Sequence, residues 1–202
     1  MIELLKRLIM NEKVREIVEE IEVMKLKLAQ EIADEESHIS YEIHNGYVKF
    51  ENEVLAKQKK SMKNLFSWFR EVPLLHFLVA PVIYAMVIPS VLLDMVIFIY
   101  QHVVFRIFKF EFIKRSDYII FDHQYLGYLN PVEKLNCLYC SYINGLMQYA
   151  SAIAGRTELY FCPIKHAKKV ASEHKYYDEF LSYGDGEGYQ KNLKTLRKQP
   201  EK

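Results

Sequence analysis

Apolar residues change their spacing several times along this chain, and each change predicts an element. Val14, Ile17, Ile21, Met24 and Leu28 recur at three and four residues, with Glu and Lys between them, which predicts a helix over 12–35. The stripe lasts about two heptads, short of the three or four that define a coiled coil. Such a helix packs on its own protein or on a partner. Over 39–50 the period falls to two: Ile39, Tyr41 and Ile43 alternate, and Val48 and Phe50 follow an Asn45-Gly46 dipeptide. Asn-Gly favours a two-residue hairpin turn because both positions need positive φ. That register sets Ile43 against Val48 and Tyr41 against Phe50, so the apolar residues share a face. Residues 51–70 return to a helical pattern that ends in the basic, aromatic stretch KKSMKNLFSWFR.

The next pattern has no polar face. Val72–Leu93 is uncharged for 22 residues, more than the 18 or so that mark a membrane segment. Pro81 and Pro89 would kink such a helix, which a bilayer tolerates. Lys57, Lys59, Lys60, Lys63 and Arg70 precede the block, and Arg106, Lys109, Lys114 and Arg115 follow it. Basic flanks stay cytoplasmic, so both ends belong on one side. Two passes would each be about 17 residues, at the short limit for spanning. The pattern therefore favours a tight or re-entrant hairpin turning near Pro89–Asp94. The rival is one span over 74–93 with an interfacial helix after it, carrying Asp94, Gln101, His102 and Arg106. Residues 106–115 alternate bulky apolar and basic side chains, as a membrane surface would favour.

Beyond the block, Tyr118–Phe121 reads as a short strand or an extended link. Asn130-Pro131-Val132-Glu133 supplies an N-cap, a first-turn proline and a capping glutamate. The helix it starts should run from 131 to about 154 and stop at Gly155. A second element should begin near Arg156 and be limited by Pro163, with a further helix over HAKKVASEHKYYDEFLSY. The GDGEG run and the basic tail behind it, 183–202, read as flexible.

Composition narrows the functions. The net charge is +1 over 202 residues, so nothing in the balance points to nucleic acid. Half the residues are hydrophobic, which excludes disorder for most of the length. Three cysteines cannot all pair, and reduced thiols suit a cytosolic setting. No cleavable leader is evident in MIELLKRLIMNEK. No nucleophile–base–acid set or phosphate-cradling glycine loop is visible.

One constellation carries chemistry. The spacing C-x2-C-x21-C-x3-H joins Cys137, Cys140, Cys162 and His166. Cys137 and Cys140 lie on one helix face, and a chain turning back would bring Cys162 and His166 to them. Three thiolates and an imidazole suit tetrahedral zinc, or iron in mononuclear or cluster form. Full protein ligation would make the ion structural or electron-carrying. The competing readings are buried thiols and a Cys137–Cys140 redox pair. Around this set, Glu133 lies four residues before Cys137, although capping explains it more simply. Arg156 and Glu158 can pair across the two metal-bearing elements. Asp122 and His123 can hold a ligand's far side by hydrogen bonds, although such a pair is also a common surface turn.

The strings RSDYIIFDHQYLGYLNPVEKLNCLYCSYINGL and RTELYFCPIKHA, with APVIYAMVIPSVLLD upstream, resemble a family of small bacterial membrane proteins. The resemblance covers roughly residues 79–167. It implies membrane location and the set Cys137, Cys140, Cys162 and His166; it implies no reaction. Family members often carry Arg after the FD pair, where this chain has His123.

The expectation is a mostly α-helical protein anchored in a bacterial inner membrane. Residues 1–71 form a cytoplasmic region with the hairpin at 39–50. Residues 72–108 form the membrane hairpin or span. Residues 109–182 form a C-terminal helical Cys3His domain, also cytoplasmic, and 183–202 a flexible tail. Its function would be metal binding with zinc or iron. The alternatives are an adaptor holding a protein partner through residues 14–28, or a membrane thiol oxidoreductase. The lipid bilayer is the expected partner in every case.

Overall fold

The computed structural model describes residues 12–36, 41–44 and 47–197, and these are mostly helical. The chain divides into two compact units between Lys57 and Gln58.

The first unit holds α1 (Glu12–Glu36) and a two-stranded sheet, β1 (Tyr41–His44) with β2 (Tyr47–Phe50). The strands pair with Tyr41 opposite Phe50 and Ile43 opposite Val48, the register that the alternation dictates. Phe50 is buried. Ile39, the Asn45-Gly46 turn and the side chain of Val14 lie outside the described residues. Helix α2 (Asn52–Lys60) leads out of this unit.

The second unit opens with α3 (Leu65–Glu71), capped by the Asn64 side chain accepting from Phe66 N–H. A helical run then extends over Leu74–Phe108, 35 residues. It comprises α4 (Leu74–Ala85), a one-residue joint at Met86, α5 (Val87–Tyr100), a π-helical stretch at Gln101–Phe105 and a last turn at Arg106–Phe108. The expected turn at Pro89–Asp94 is not formed, because both residues sit inside α5. The physical reason is position. Pro89 falls in the first turn of α5, where its missing N–H would have had no helical partner. The Ser90 hydroxyl donates to the Met86 carbonyl, 2.7 Å away, across the joint.

The run ends at Lys109, whose φ of 56° is left-handed. The Phe110 N–H then donates back to the Phe105 carbonyl at 2.8 Å, closing the helix end in the manner usually given to glycine. The turn delivers Phe110 into the core, edge-on to Phe105.

Helix α6 (Pro131–Phe161) runs unbroken for 31 residues. Asn130 and Glu133 form a capping box at its start: Asn130 Oδ1 accepts from Val132 and Glu133, and Glu133 Oε2 accepts from Asn130 N–H. The predicted stop at Gly155 does not occur, and the helix continues to Phe161. Gly155 is a packing notch instead. A Cβ there would lie 2.5 Å from His174 Nδ1, so only glycine lets that imidazole rest on the helix. Gly145 does the same for the chain segment around Tyr118, whose carbonyl would lie 2.5 Å from a Cβ. That segment is therefore irregular backbone crossing α6, and no strand forms at 118–121.

The helix expected over 166–183 is likewise absent. The segment is irregular, pinned by paired bonds between Pro163, Lys165 and Leu181. Tyr176, Tyr177 and Phe180 bury against Leu159 of α6. Within the described part of the tail, α7 spans Gly186–Arg197. Leu196 is buried, and Arg197 Nε donates to the Tyr160 carbonyl at 3.0 Å.

The main core lies between α5, the segment 110–119 and the middle of α6. It gathers Ile97, Phe105, Phe110, Ile113, Ile119, Leu146, Tyr149, Ala152 and Ile153. Phe105 and Leu146 are fully enclosed, each contributing about 1.5–3 kcal/mol of burial.

Candidate functional site

The continuity of α6 decides the cysteines. Cys137 and Cys140 sit near its start, and Cys162 caps its end. Twenty-five residues at about 1.5 Å each put Cys137 and Cys162 roughly 38 Å apart along the axis. His166 follows in the irregular segment, its N–H donating to the Tyr177 hydroxyl at 2.9 Å. All three thiols are free; Cys137 is half-buried, and Cys140 and Cys162 are exposed. Among the described residues, no group of three or more His, Cys, Asp or Glu is gathered so as to hold a metal ion. The four residues therefore do not fit a zinc or iron shell: two stand at one end of a long helix and two at the other.

The residues expected to support that shell have other partners. Glu133 closes the capping box. Glu158 Oε2 lies 3.3 Å from His174 Nε2, where α6 meets the irregular segment. Arg156 is buried, with its guanidinium carbon 4.0 Å from the centre of the Phe110 ring. Asp122 and His123 are exposed neighbours, 4.0 Å apart.

What the fold does assemble is a polar seam between α5 and α6. Its first part is Asp94, which accepts from Arg115 Nε at 3.3 Å and Nη2 at 2.7 Å. The Tyr142 hydroxyl donates to the same carboxylate at 3.1 Å. Two turns on, Gln101 Oε1 accepts from the Tyr149 hydroxyl at 2.8 Å, while its Nε2 donates to the Ile113 carbonyl at 3.1 Å. The π-helical stretch helps here. Its wide turn leaves both Gln101 and Phe105 buried against α6. The Tyr100 hydroxyl donates to Thr157 at 3.0 Å, and Tyr84 bonds Asn136.

The electrostatics follow from this geometry. The Asp94 carboxylate, by accepting from it, pushes the Arg115 guanidinium up, so it stays charged. Burial first, and then the charge on Asp94, push the Tyr142 phenol up, which keeps it a donor. Burial also pushes Tyr149 up.

The sequence pattern marks Asp94 as a charge in an apolar run, but it gives Arg115 only a flanking role and the tyrosines none. The available signal is spacing. Tyr142 and Tyr149 are seven apart, as are Asp94 and Gln101, so each pair occupies one helix face.

No protein-family model, curated protein or solved structure matches this chain.

Proposed function

We propose that the protein is a monotopic membrane adaptor, held in one leaflet by the helix Leu74–Phe108 and presenting α1 to a protein partner. One observation carries the anchoring. Leu78, Val82, Leu92, Val96, Ile99 and Ile107 form an exposed apolar stripe on that helix. Only 11% of its most apolar stretch is buried, which a soluble core helix would not tolerate.

Two features favour lying in the membrane over crossing it. The helix is roughly 52 Å long at 1.5 Å per residue, against a hydrocarbon core of about 30 Å. Its opposite face carries α6, running the same way, with polar contacts at Tyr84, Asp94, Gln101 and Tyr100. A crossing over 74–93 would put Asn136, and the neighbouring Glu133 and Lys134, halfway through the bilayer beside Tyr84. Lying in the plane keeps those charges in water and both basic flanks on one side. By the positive-inside rule that side is the cytoplasmic one, and the resemblance makes the membrane a bacterial one.

The adaptor part rests on α1. Ile17, Ile21, Met24 and Leu28 are all exposed, with Ile21 at 41% the least so. The exposed apolar stripe over Ile17–Leu28 fits a partner helix that carries an apolar stripe of its own. The zinc or iron centre is no part of this reading, since its ligands stand apart.

The test is depth. Nitroxide labels at Val82, Leu92, Ile99 and Ile107, one at a time in a cysteine-free background, should report one shared depth in vesicles. A depth that runs from one surface through the bilayer centre to the other would overturn the in-plane reading.

A further inference from the structure

We infer that the Asp94–Arg115 pair is a recognition site for a zwitterionic phospholipid headgroup with a primary ammonium, the phosphatidylethanolamine class. The inference rests on the anchored reading above and adds a ligand to it.

The pair lies in a shallow, open surface cleft of about 430 Å³ lined by Val91, Asp94, Met95, Phe98, Ile99 and Arg115, the form a lipid lying along the helix would need. Four of the six lining residues, Val91, Met95, Phe98 and Ile99, are apolar, and all four are exposed. An acyl chain can lie along them. The two polar residues sit together at one end, as a headgroup and its chains would require.

Charge decides which headgroup. Asp94 and Arg115 offer one negative and one positive group side by side. An anionic headgroup would meet the carboxylate as well as the guanidinium. A headgroup carrying phosphate and ammonium satisfies both. Capacity remains on each partner. Arg115 has five N–H donors and uses two on Asp94, and its side chain is 45% exposed. The carboxylate has about four acceptor positions and fills three, two with Arg115 and one with Tyr142. The open position can take an ammonium N–H, which a trimethylated choline cannot supply.

The site is also held in place. Tyr142 fixes Asp94 from α6, and the backbone carbonyl two residues before Arg115 is bonded by the buried Gln101. The pair is therefore preorganised, which lowers the ordering cost of binding.

The experiment uses full-length protein in detergent, offered phosphatidylethanolamine, phosphatidylcholine and phosphatidylglycerol in equal amounts, with retained lipid read by native mass spectrometry. Phosphatidylethanolamine should be favoured about tenfold, the ratio expected of one charge-assisted hydrogen bond at the weak end of its range. Asp94→Asn and Arg115→Gln should each erase that preference. Met95→Trp, at an exposed position on the cleft wall, should erase it too while leaving the ion pair and the fold intact by circular dichroism. Equal retention of the three lipids, or a preference unchanged in Met95→Trp, overturns the site. Displacement of the lipid by free phosphoethanolamine would assign the cleft to a water-soluble ligand and overturn the lipid source. Vesicle flotation of the unsubstituted protein reports separately on the anchor: flotation without lipid selectivity sinks this site alone, and selectivity without flotation sinks the in-plane reading.

Discussion

Gly145 and Gly155 show what a single residue can decide in α6. Each gives up helix propensity, about 1 kcal/mol against alanine, and each is a place where something must come close. At Gly145 the close group is backbone: a Cβ would meet the Tyr118 carbonyl at 2.5 Å and Ile119 Cα at 2.9 Å. Gly145→Ala should therefore cost about 1–3 kcal/mol despite better propensity, because the crossing segment must shift. At Gly155 the close group is the His174 ring, also 2.5 Å from a Cβ. Gly155→Ala should push that ring out and break its contact with Glu158, and pairing it with His174→Ala should restore part of the loss. Thermal unfolding of the three variants in detergent measures this. If Gly155→Ala alone is as stable as the parent, the notch is not what keeps glycine there. These residues also mark what is legible in the sequence. The capping box at Asn130 and Glu133 can be read because its partners are three residues apart. Gly155 reads as a stop because a glycine's local signal is the same for a C-cap as for a notch. The imidazole that fills the notch comes from nineteen residues further on.

At the scale of elements, local pairing is readable and continuity is not. The register of β1 with β2 follows from alternation and a two-residue turn, and both are local. The end of α6 depends on what packs against it, so the helix runs through the expected boundary and carries Cys162 away from Cys137. That separation is directly measurable. With Cys140→Ser, labels on Cys137 and Cys162 should lie roughly 38 Å apart by pulsed dipolar spectroscopy, from the 1.5 Å rise. Sulfurs sharing one zinc would be within about 4.6 Å, twice the zinc–sulfur bond. A short distance would restore the Cys3His centre and break α6 as described. Helix α1 offers a complementary case, since its stripe is readable but its destination is not. If the stripe serves a partner and not its own fold, Ile21→Glu with Met24→Glu should change the unfolding free energy by less than about 0.5 kcal/mol. A loss of about 2 kcal/mol or more, the size of a core disruption, would mean the stripe is packed internally and would remove the adaptor surface.

For the whole molecule, the decisive quantity is on which side of the bilayer each part lies. Charge alone gives one answer: Lys57–Arg70 and Arg106–Arg115 are both basic, so both belong on the same face. A hairpin is the only way to satisfy this while crossing, and α5 is not a hairpin. On the proposed in-plane reading, the long helix reconciles the two facts by not crossing. Its basic flanks, the charged start of α6 and the exposed loop around Tyr183 would then share one aqueous phase, with the opposite stripe facing acyl chains. The prediction is made on sealed vesicles of known orientation. Cysteines placed at Glu16 and at Tyr183, in a background lacking the native three, should both react with an impermeant maleimide in inside-out vesicles. Neither should react in right-side-out ones. Opposite labelling of the two positions would require a single crossing and would sink the monotopic reading. It would also leave Glu133 and Lys134 beside Tyr84 in the bilayer interior, at about 2.5–3.5 kcal/mol or more for the lysine alone. That cost is why the same-side outcome is expected.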